Sequence, residues 1–184
     1  MEKTKWALDP THSEIQFKVK HLMISTVTGQ FNKFEATVET DGEDLTTAKI
    51  HFNADIDSIS TNNEQRDAHL KTGDFFDVES YPKLTFEGNK LVKKDEENYI
   101  VHGTLTMRGV SKEITFDAEF GGKTLDPWGL TRIGFSLSGK INRNDFGVSF
   151  GKVSETGGVL LGEEVKIIAN AEFVMQKVAE PALA

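Results

Sequence analysis

Residues 58–88 contain the side chains best suited to hold a polar or charged group. Arg66 and His69 lie on one face of a helix predicted over about residues 64–71, because a three-residue spacing brings side chains to the same side. A guanidinium beside an imidazole could bind a phosphate or carboxylate. Alternatively, Arg66 and Asp67 pair with groups of the predicted barrel and fasten the helix over its mouth, which we favour because a buried charge usually has a protein partner.

Two further residues are candidates for contact with a ligand head group. His21 is the polar member of an otherwise apolar strand face, and it is expected at a strand end. A histidine hydrogen-bonded within the fold explains it equally well. Arg143 lies in INRNDFGV, which we interpret first as a turn or bulge relieved by Gly147. Contact with a head group is the alternative for Arg143.

The sequence carries little that indicates catalysis. Its five histidines show neither an H-E-x-x-H motif nor a close ligand spacing, so no metal site is predicted. The chain has no cysteine, and Ser13 and Ser111 lack the glycine-flanked context of a nucleophile. No cofactor and no catalytic residue are predicted.

Alternation of apolar and polar residues dominates the chain and predicts the elements that position these side chains. Eight segments show it, and turns rich in Gly, Asn and Asp join them. One apolar face per strand must be hidden, and eight strands suffice to close an antiparallel barrel. We therefore predict an all-β fold, an eight-stranded antiparallel β-barrel with the short helix near its mouth, in preference to a sandwich. Asn63 and its neighbours offer the helix N-cap, Gly73 lies where the helix should end, and the tail from about residue 179 is expected to fray.

Composition narrows the class of partner. The 184 residues fit one domain, and the net charge of −8 without a basic cluster argues against nucleic acid and anionic membranes. No stretch approaches the roughly 20 apolar residues that a spanning helix needs, so stable membrane insertion is not predicted. The first residues lack a signal-peptide pattern, which predicts a cytoplasmic protein, or a periplasmic one if a leader has been removed. The sequence does not decide whether the protein forms a homodimer.

Several motifs resemble one known family. DPTHSEIQFKVKHL, TGQFNKFEATVE, SISTNNEQRDAHLKTGDFFDVESYPKLTFEG, HGTLTMRGVSKEITFDAEF, INRNDFGV and GEEVKI occur in the order found in the YceI family of lipid- and polyisoprenoid-binding proteins. The similarity covers about residues 6–173. It implies a lipocalin-like barrel whose elongated pocket holds a long-chain amphiphile, without an agreed catalytic activity.

The inward rows supply the predicted pocket wall. The candidates are Phe17, Val19, Phe34, Phe52, Ile56, Phe76, Leu105, Phe135, Leu137 and Ile141. The alternative is that these side chains meet and fill the barrel, since protein interiors normally pack densely. The resemblance to the YceI family favours a hollow barrel in which these side chains line a pocket.

These observations lead to a functional hypothesis with two alternatives. The leading hypothesis is non-enzymatic binding, sequestration or transport of a polyisoprenoid, quinone precursor or fatty-acid derivative. One alternative is a lipid- or isoprenoid-modifying enzyme with a polar cluster at the barrel mouth. The other is a stress-related interaction module in which the barrel is only a scaffold.

Overall fold

Antiparallel strands and one short helix build the fold. The computed structural model describes residues 2–151 and 160–176. Within these ranges the strands are β1 Lys3–Leu8, β2 Glu14–His21, β3 Ser25–Phe31, β4 Phe34–Asp41, β5 Asp44–Asp55, β6 Ile59–Ser60, β7 Lys83–Lys93, β8 Asn98–Met107, β9 Val110–Leu125, β10 Thr131–Asn142 and β11 Leu161–Met175, and the helix is α1 Glu64–Leu70. Single 3-10 turns lie at Pro10–His12, Ile56–Ser58 and Arg143–Phe146. The predicted C-terminal tail lies outside the described residues.

Eight of the described strands close into a barrel, which is the predicted number and arrangement, although β1 was not among the eight alternating segments and the segment that forms β2 lies outside this ring. Their order is β1, β4, β5, β7, β8, β9, β10 and β11, and β11 pairs back onto β1. Every pairing in this ring is antiparallel. Closure removes the exposed edges that an open sheet would leave, and it turns one face of every strand toward a common interior.

The remaining described strands form a flap beside β11. One edge of β11 pairs with β1 at residues 173–175 and with β2 between Leu161 and Asn170. β2 pairs with β3, whereas β3 reaches β6 only at Gln30 and Phe31. Residues 25–29 of β3 therefore have no described strand on their outer edge. The barrel wall is incomplete along this part of β3.

The turn and helix signals of the sequence have clear structural outcomes. Arg108 and Gly109 form the tight turn between β8 and β9, with φ values of 52° and 73°. Asn63 caps α1, since its side-chain oxygen accepts a hydrogen bond from the Arg66 backbone N–H at 3.0 Å. The helix ends at Leu70 with Lys71 as its cap, so the prediction that Gly73 ends it was wrong.

The predicted inner faces point inward. In β8, for example, Tyr99, Val101, Gly103, Leu105 and Met107 are buried, whereas the residues that alternate with them are more exposed. Trp6 of β1 is 1% exposed where β1 pairs with both β4 and β11, and its indole N–H donates to Thr40 Oγ1 at 3.2 Å. No helix in residues 2–151 or 160–176 is long and apolar enough to cross a membrane.

Candidate functional site

The barrel encloses a large apolar cavity. Its volume is about 860 Å³, toward the upper end of the range for ligand pockets in proteins. The wall consists mainly of Phe, Leu, Ile, Val and Ala side chains from both halves of the barrel. The interior is therefore hollow, and the alternative of a solid core does not describe this molecule.

Glycines opposite phenylalanines help to keep this space open. Phe116 lies against Gly139 of the neighbouring strand, where an added Cβ would come within 2.6 Å of its ring. Phe17 lies against Gly29 in the same manner, and a Cβ added to Gly29 would come within 2.2 Å of the Phe17 ring. Because the glycines have no side chain, both rings can lie along the wall.

The structure places nine of the ten predicted pocket residues on the cavity wall. They are Phe17, Val19, Phe34, Phe52, Phe76, Leu105, Phe135, Leu137 and Ile141. Ile56 is the exception, because the chain leaves β5 at Asp55 and turns away in a 3-10 turn. Ile56 is 1% exposed and packs instead with Phe31, Ala54 and Ile59 in a small separate core.

The cavity opens beside the free edge of β3. Ser25, Thr26, Val27 and Thr28 all line it, although successive residues of a strand point to opposite faces. The cavity surface must therefore extend around this strand edge. From α1, Arg66, His69 and Leu70 also line it. We call the region between residues 25–28 and α1 the mouth.

An aromatic cluster holds His69 at the mouth. The His69 ring makes edge-to-face contacts with Phe75 and Phe150, with ring centres 5.1 Å and 5.0 Å apart. Its Nε2 lies 2.8 Å from Asp74 Oδ2. This hydrogen bond leaves Nδ1 as the ring nitrogen able to contact a ligand.

Arg66 and Asp67 fasten the start of α1, but not through groups of the barrel as the sequence predicted. Arg66 donates from Nε to Thr61 Oγ1 and from Nη2 to the Thr61 carbonyl, both at 2.7 Å. Asp67 Oδ1 accepts from the Thr61 backbone N–H at 2.8 Å and from its hydroxyl at 2.6 Å. The partner is thus the segment before the helix rather than a barrel strand. Arg66 keeps donors on Nη1 for a second partner.

Arg143 is buried beneath the mouth and braces the chain around it. It is 4% exposed and donates to the carbonyls of Gly162, Val148, Phe150 and Leu161 at 2.7–3.3 Å. Burial lowers the pKa of the guanidinium, and the negative charge of Glu163 opposes that shift. Arg143 also lines the cavity, but most of its five donors are already used.

His21 lies on the cavity wall at the end of β2, as its row predicted. Within the described part of the chain no side-chain hydrogen bond to its ring is found, in contrast to His69. Among the described residues, the structure therefore shows no side-chain partner for the structural role that was the alternative for His21.

The ionisable side chains on the described cavity wall are all basic. They are Arg66, Arg143, His21 and His69, and no carboxylate or lysine accompanies them. The chain as a whole carries a net charge of −8. The polar part of the cavity thus offers hydrogen-bond donors and positive charge, which suits an anionic or acceptor-rich group.

Some wall residues were not predicted from the sequence. Phe150 follows a turn and belongs to no alternating segment, so nothing in its neighbourhood indicated the cavity. Residues 25–28 had a usable signal, since Val27, Gly29 and Phe31 alternate with polar residues. Ser13, Gln16 and Asn170 line the cavity from β2 and β11 and from the turn before β2.

A second polar cluster lies near the opposite end of the barrel and has a structural role. Arg132 Nη1 is 2.8 Å from Asp9 Oδ2 and 3.7 Å from Glu172 Oε2, and its Nε is 2.8 Å from Asp126. Hydrogen bonds from the Thr11 side chain, His12 and Arg132 hold the pKa of the Asp9 carboxyl well below its usual range. Asp9, His12 and Glu172 have metal-like spacing, but both carboxylates already lie within ion-pair distance of the Arg132 guanidinium.

Comparison with known proteins agrees with this architecture. A UPF0312 protein of Staphylococcus aureus is 43% identical over 171 residues, which is 92% of this chain and 97% of the relative. A UPF0312 protein of Staphylococcus epidermidis is 45% identical over the same shares. Among solved structures, a Campylobacter jejuni YceI protein is 37% identical, covers 86% of this chain and 90% of its own, and superposes with a TM-score of 0.76.

A more distant structure shares the fold alone. The polyisoprenoid-binding domain from Saccharophagus degradans is 16% identical, covers 93% of this chain and 98% of its own, and has a TM-score of 0.68. The family model described as the YceI-like domain matches residues 6–173. With that match across nearly the whole barrel, and relatives above 40% identity along its length, the chain belongs to the YceI-like family.

Proposed function

We propose that this protein binds a long-chain amphiphile without modifying it, and that it sequesters or carries that molecule with its tail inside the barrel. The observation that carries the proposal is the apolar cavity of about 860 Å³. Each methylene moved from water into such a space contributes about 0.8 kcal/mol before entropic costs. A polyisoprenoid, quinone precursor or fatty-acid derivative has a tail of this kind.

The mouth offers hydrogen-bond donors to the head group of such an amphiphile. His69 Nδ1, the His21 ring and the unused donors of Arg66 border an opening through which a head group would face solvent. An anionic group or a carbonyl oxygen would find donors there and no repelling carboxylate on the described wall. The name of the Saccharophagus degradans domain, a polyisoprenoid-binding structure with the same fold, agrees with this class of ligand.

Native mass spectrometry tests the proposal directly. The purified protein, incubated with a long polyprenol or a long-chain fatty acid, should carry one tail-bearing adduct. Phe135→Asp should abolish loading, because an unpaired charge would be placed on the apolar wall. Glu113→Ala, an exposed position on β9, is the control and should load normally. Failure of every long-chain compound to bind the wild-type protein would refute the proposal.

One observation favours the enzymatic alternative. The 2.8 Å contact between His69 and Asp74 resembles the pairing of a general base with the carboxylate that orients it. Native mass spectrometry of the loaded protein also distinguishes binding without modification from catalysis. An adduct whose mass is unchanged after prolonged incubation supports carriage, whereas a mass change that disappears in His69→Ala supports catalysis.

A further inference from the structure

The turn between β2 and β3 presents three consecutive large aliphatic side chains to solvent. Leu22, Met23 and Ile24 are 44%, 59% and 83% exposed. Leu22 and Met23 also have positive φ values, 51° and 59°, a conformation in which glycine or asparagine is far more favourable. Exposure of these aliphatic side chains to water is unfavourable, and the left-handed backbone is unfavourable for Leu22 and Met23. Residues that are unfavourable for local structure in this way are expected at functional positions. We call residues 22–24 the tip.

The tip adjoins the mouth of the cavity. Its flanking residues, His21 and Ser25, both line the cavity, and the Leu22 backbone N–H donates to the carbonyl of Leu160, another wall residue. Phe150, on the wall beside His69, is itself 43% exposed. Apolar surface thus extends from the cavity wall to the outside of the protein at this end.

We propose that the tip inserts into the surface of an uncharged lipid bilayer and sets the mouth against it, so that a membrane-dissolved tail enters the barrel without crossing water. This inference rests on the proposed function, since it concerns how the same cavity is loaded. The inserted part is a three-residue turn, so contact is shallow and reversible.

The size of the tip favours a bilayer over a protein partner. A stable protein interface buries about 800 Å² on each partner and is centred on aromatic or arginine side chains. Three aliphatic side chains supply only a fraction of that area. Hydrocarbon, in contrast, needs no complementary shape, and it solvates Leu, Met and Ile directly.

Charge favours a neutral bilayer over an anionic one. Within three positions of the tip on either side, Lys20 is the one formally charged residue, and the whole chain carries −8. Anionic membranes attract clusters of several lysines or arginines. Adding phosphatidylglycerol to the vesicles should therefore not strengthen binding of the protein. Lowering the salt concentration should leave binding to these anionic vesicles unchanged or weaken it.

Flotation with phosphatidylcholine vesicles tests the docking step. We expect the wild-type protein to float and Met23→Asn/Ile24→Ser to bind about tenfold more weakly for each side chain removed, or worse. The double variant should fold normally, because asparagine tolerates the left-handed backbone of residue 23. Trp128→Ser is the matched control, since Trp128 is 79% exposed in the turn between β9 and β10, far from the mouth.

A loading assay separates this inference from the function on which it rests. A long polyprenol supplied in phosphatidylcholine vesicles should load the double variant about tenfold more slowly than wild type or worse, whereas the same polyprenol supplied in cyclodextrin should load both equally. Equal flotation of wild type and variant, or an equal loss in Trp128→Ser, would overturn the inference. So would a homodimer that the double variant abolishes. If wild type floats but loads by neither route, the proposed function fails while the docking stands.

Discussion

Gly29→Ala tests whether the glycines facing the cavity wall keep the barrel hollow. Gly29 is the cross-strand partner of Phe17, and an added Cβ would lie 2.2 Å, 2.6 Å and 2.8 Å from three atoms of the phenyl ring. No real contact is this short, so the ring must move. The neighbouring Phe31 ring, whose centre is 5.8 Å away, limits movement on one side, and the cavity leaves space on another.

The expected cost is the difference between two effects. Overpacking a wall position costs about 1–3 kcal/mol, and alanine recovers about 0.5–1 kcal/mol of the backbone entropy that a glycine loses in a strand. The net destabilisation should be about 1 kcal/mol in urea unfolding. Loading with a long polyprenol should fall as well, because the displaced ring occupies part of the lumen.

Gly73→Ala is the matched control. Gly73 has no atom within 4 Å of an added Cβ and no positive φ, so this substitution should be neutral or slightly stabilising and should leave loading unchanged. Adding Phe17→Leu to Gly29→Ala should recover about 1 kcal/mol, since the smaller side chain can yield. The reasoning is refuted if Gly29→Ala matches Gly73→Ala in both stability and loading.

Two further predictions concern the polar groups that brace the barrel. Arg143→Met should lower the free energy of unfolding by more than about 2 kcal/mol in urea titration, because it leaves buried carbonyls without donors; a loss below about 0.5 kcal/mol would contradict that role. The lowered pKa of Asp9 means that its carboxylate contributes stability above its unfolded pKa of about 3.9, and that this contribution is lost as pH falls below it. The difference in unfolding free energy between wild type and Asp9→Asn should therefore be largest at about pH 5, where Asp9 is ionised and its partner His12 is protonated, and should shrink in acid. Curves that stay parallel down to the acid limit would refute the assignment.

Much of the fold followed from local pattern. Alternation such as that of Ile133, Phe135 and Leu137 in β10 specifies which face of a strand is apolar, because side chains of a strand alternate strictly. The asparagine cap of α1 and the turn at Arg108 and Gly109 were equally local, and both occur where they were expected.

The misses have physical reasons as well. β1, β3 and β6 were not predicted, and β6 has only two residues, too few to show a period. Ile56 continued the alternation of β5 in sequence, but the 3-10 turn at Ile56–Ser58 rotates it out of the row. Phe150 reaches the mouth from a turn, where neither strand nor helix periodicity applies.

Sequence by itself determined the apolar faces of seven of the barrel's eight strands and most of the predicted residues of the cavity wall, because these depend on periods of two along the chain. Only the tertiary structure decided that the centre is hollow, that the wall opens beside β3 and that Arg66 is held by Thr61 while His69 borders the opening. The hollow centre and the opening depend on tertiary contacts such as the pairing of β11 with two successive strands, which joins residues far apart in the chain. No local pattern specifies them, since each depends on how closed strands share the space between them.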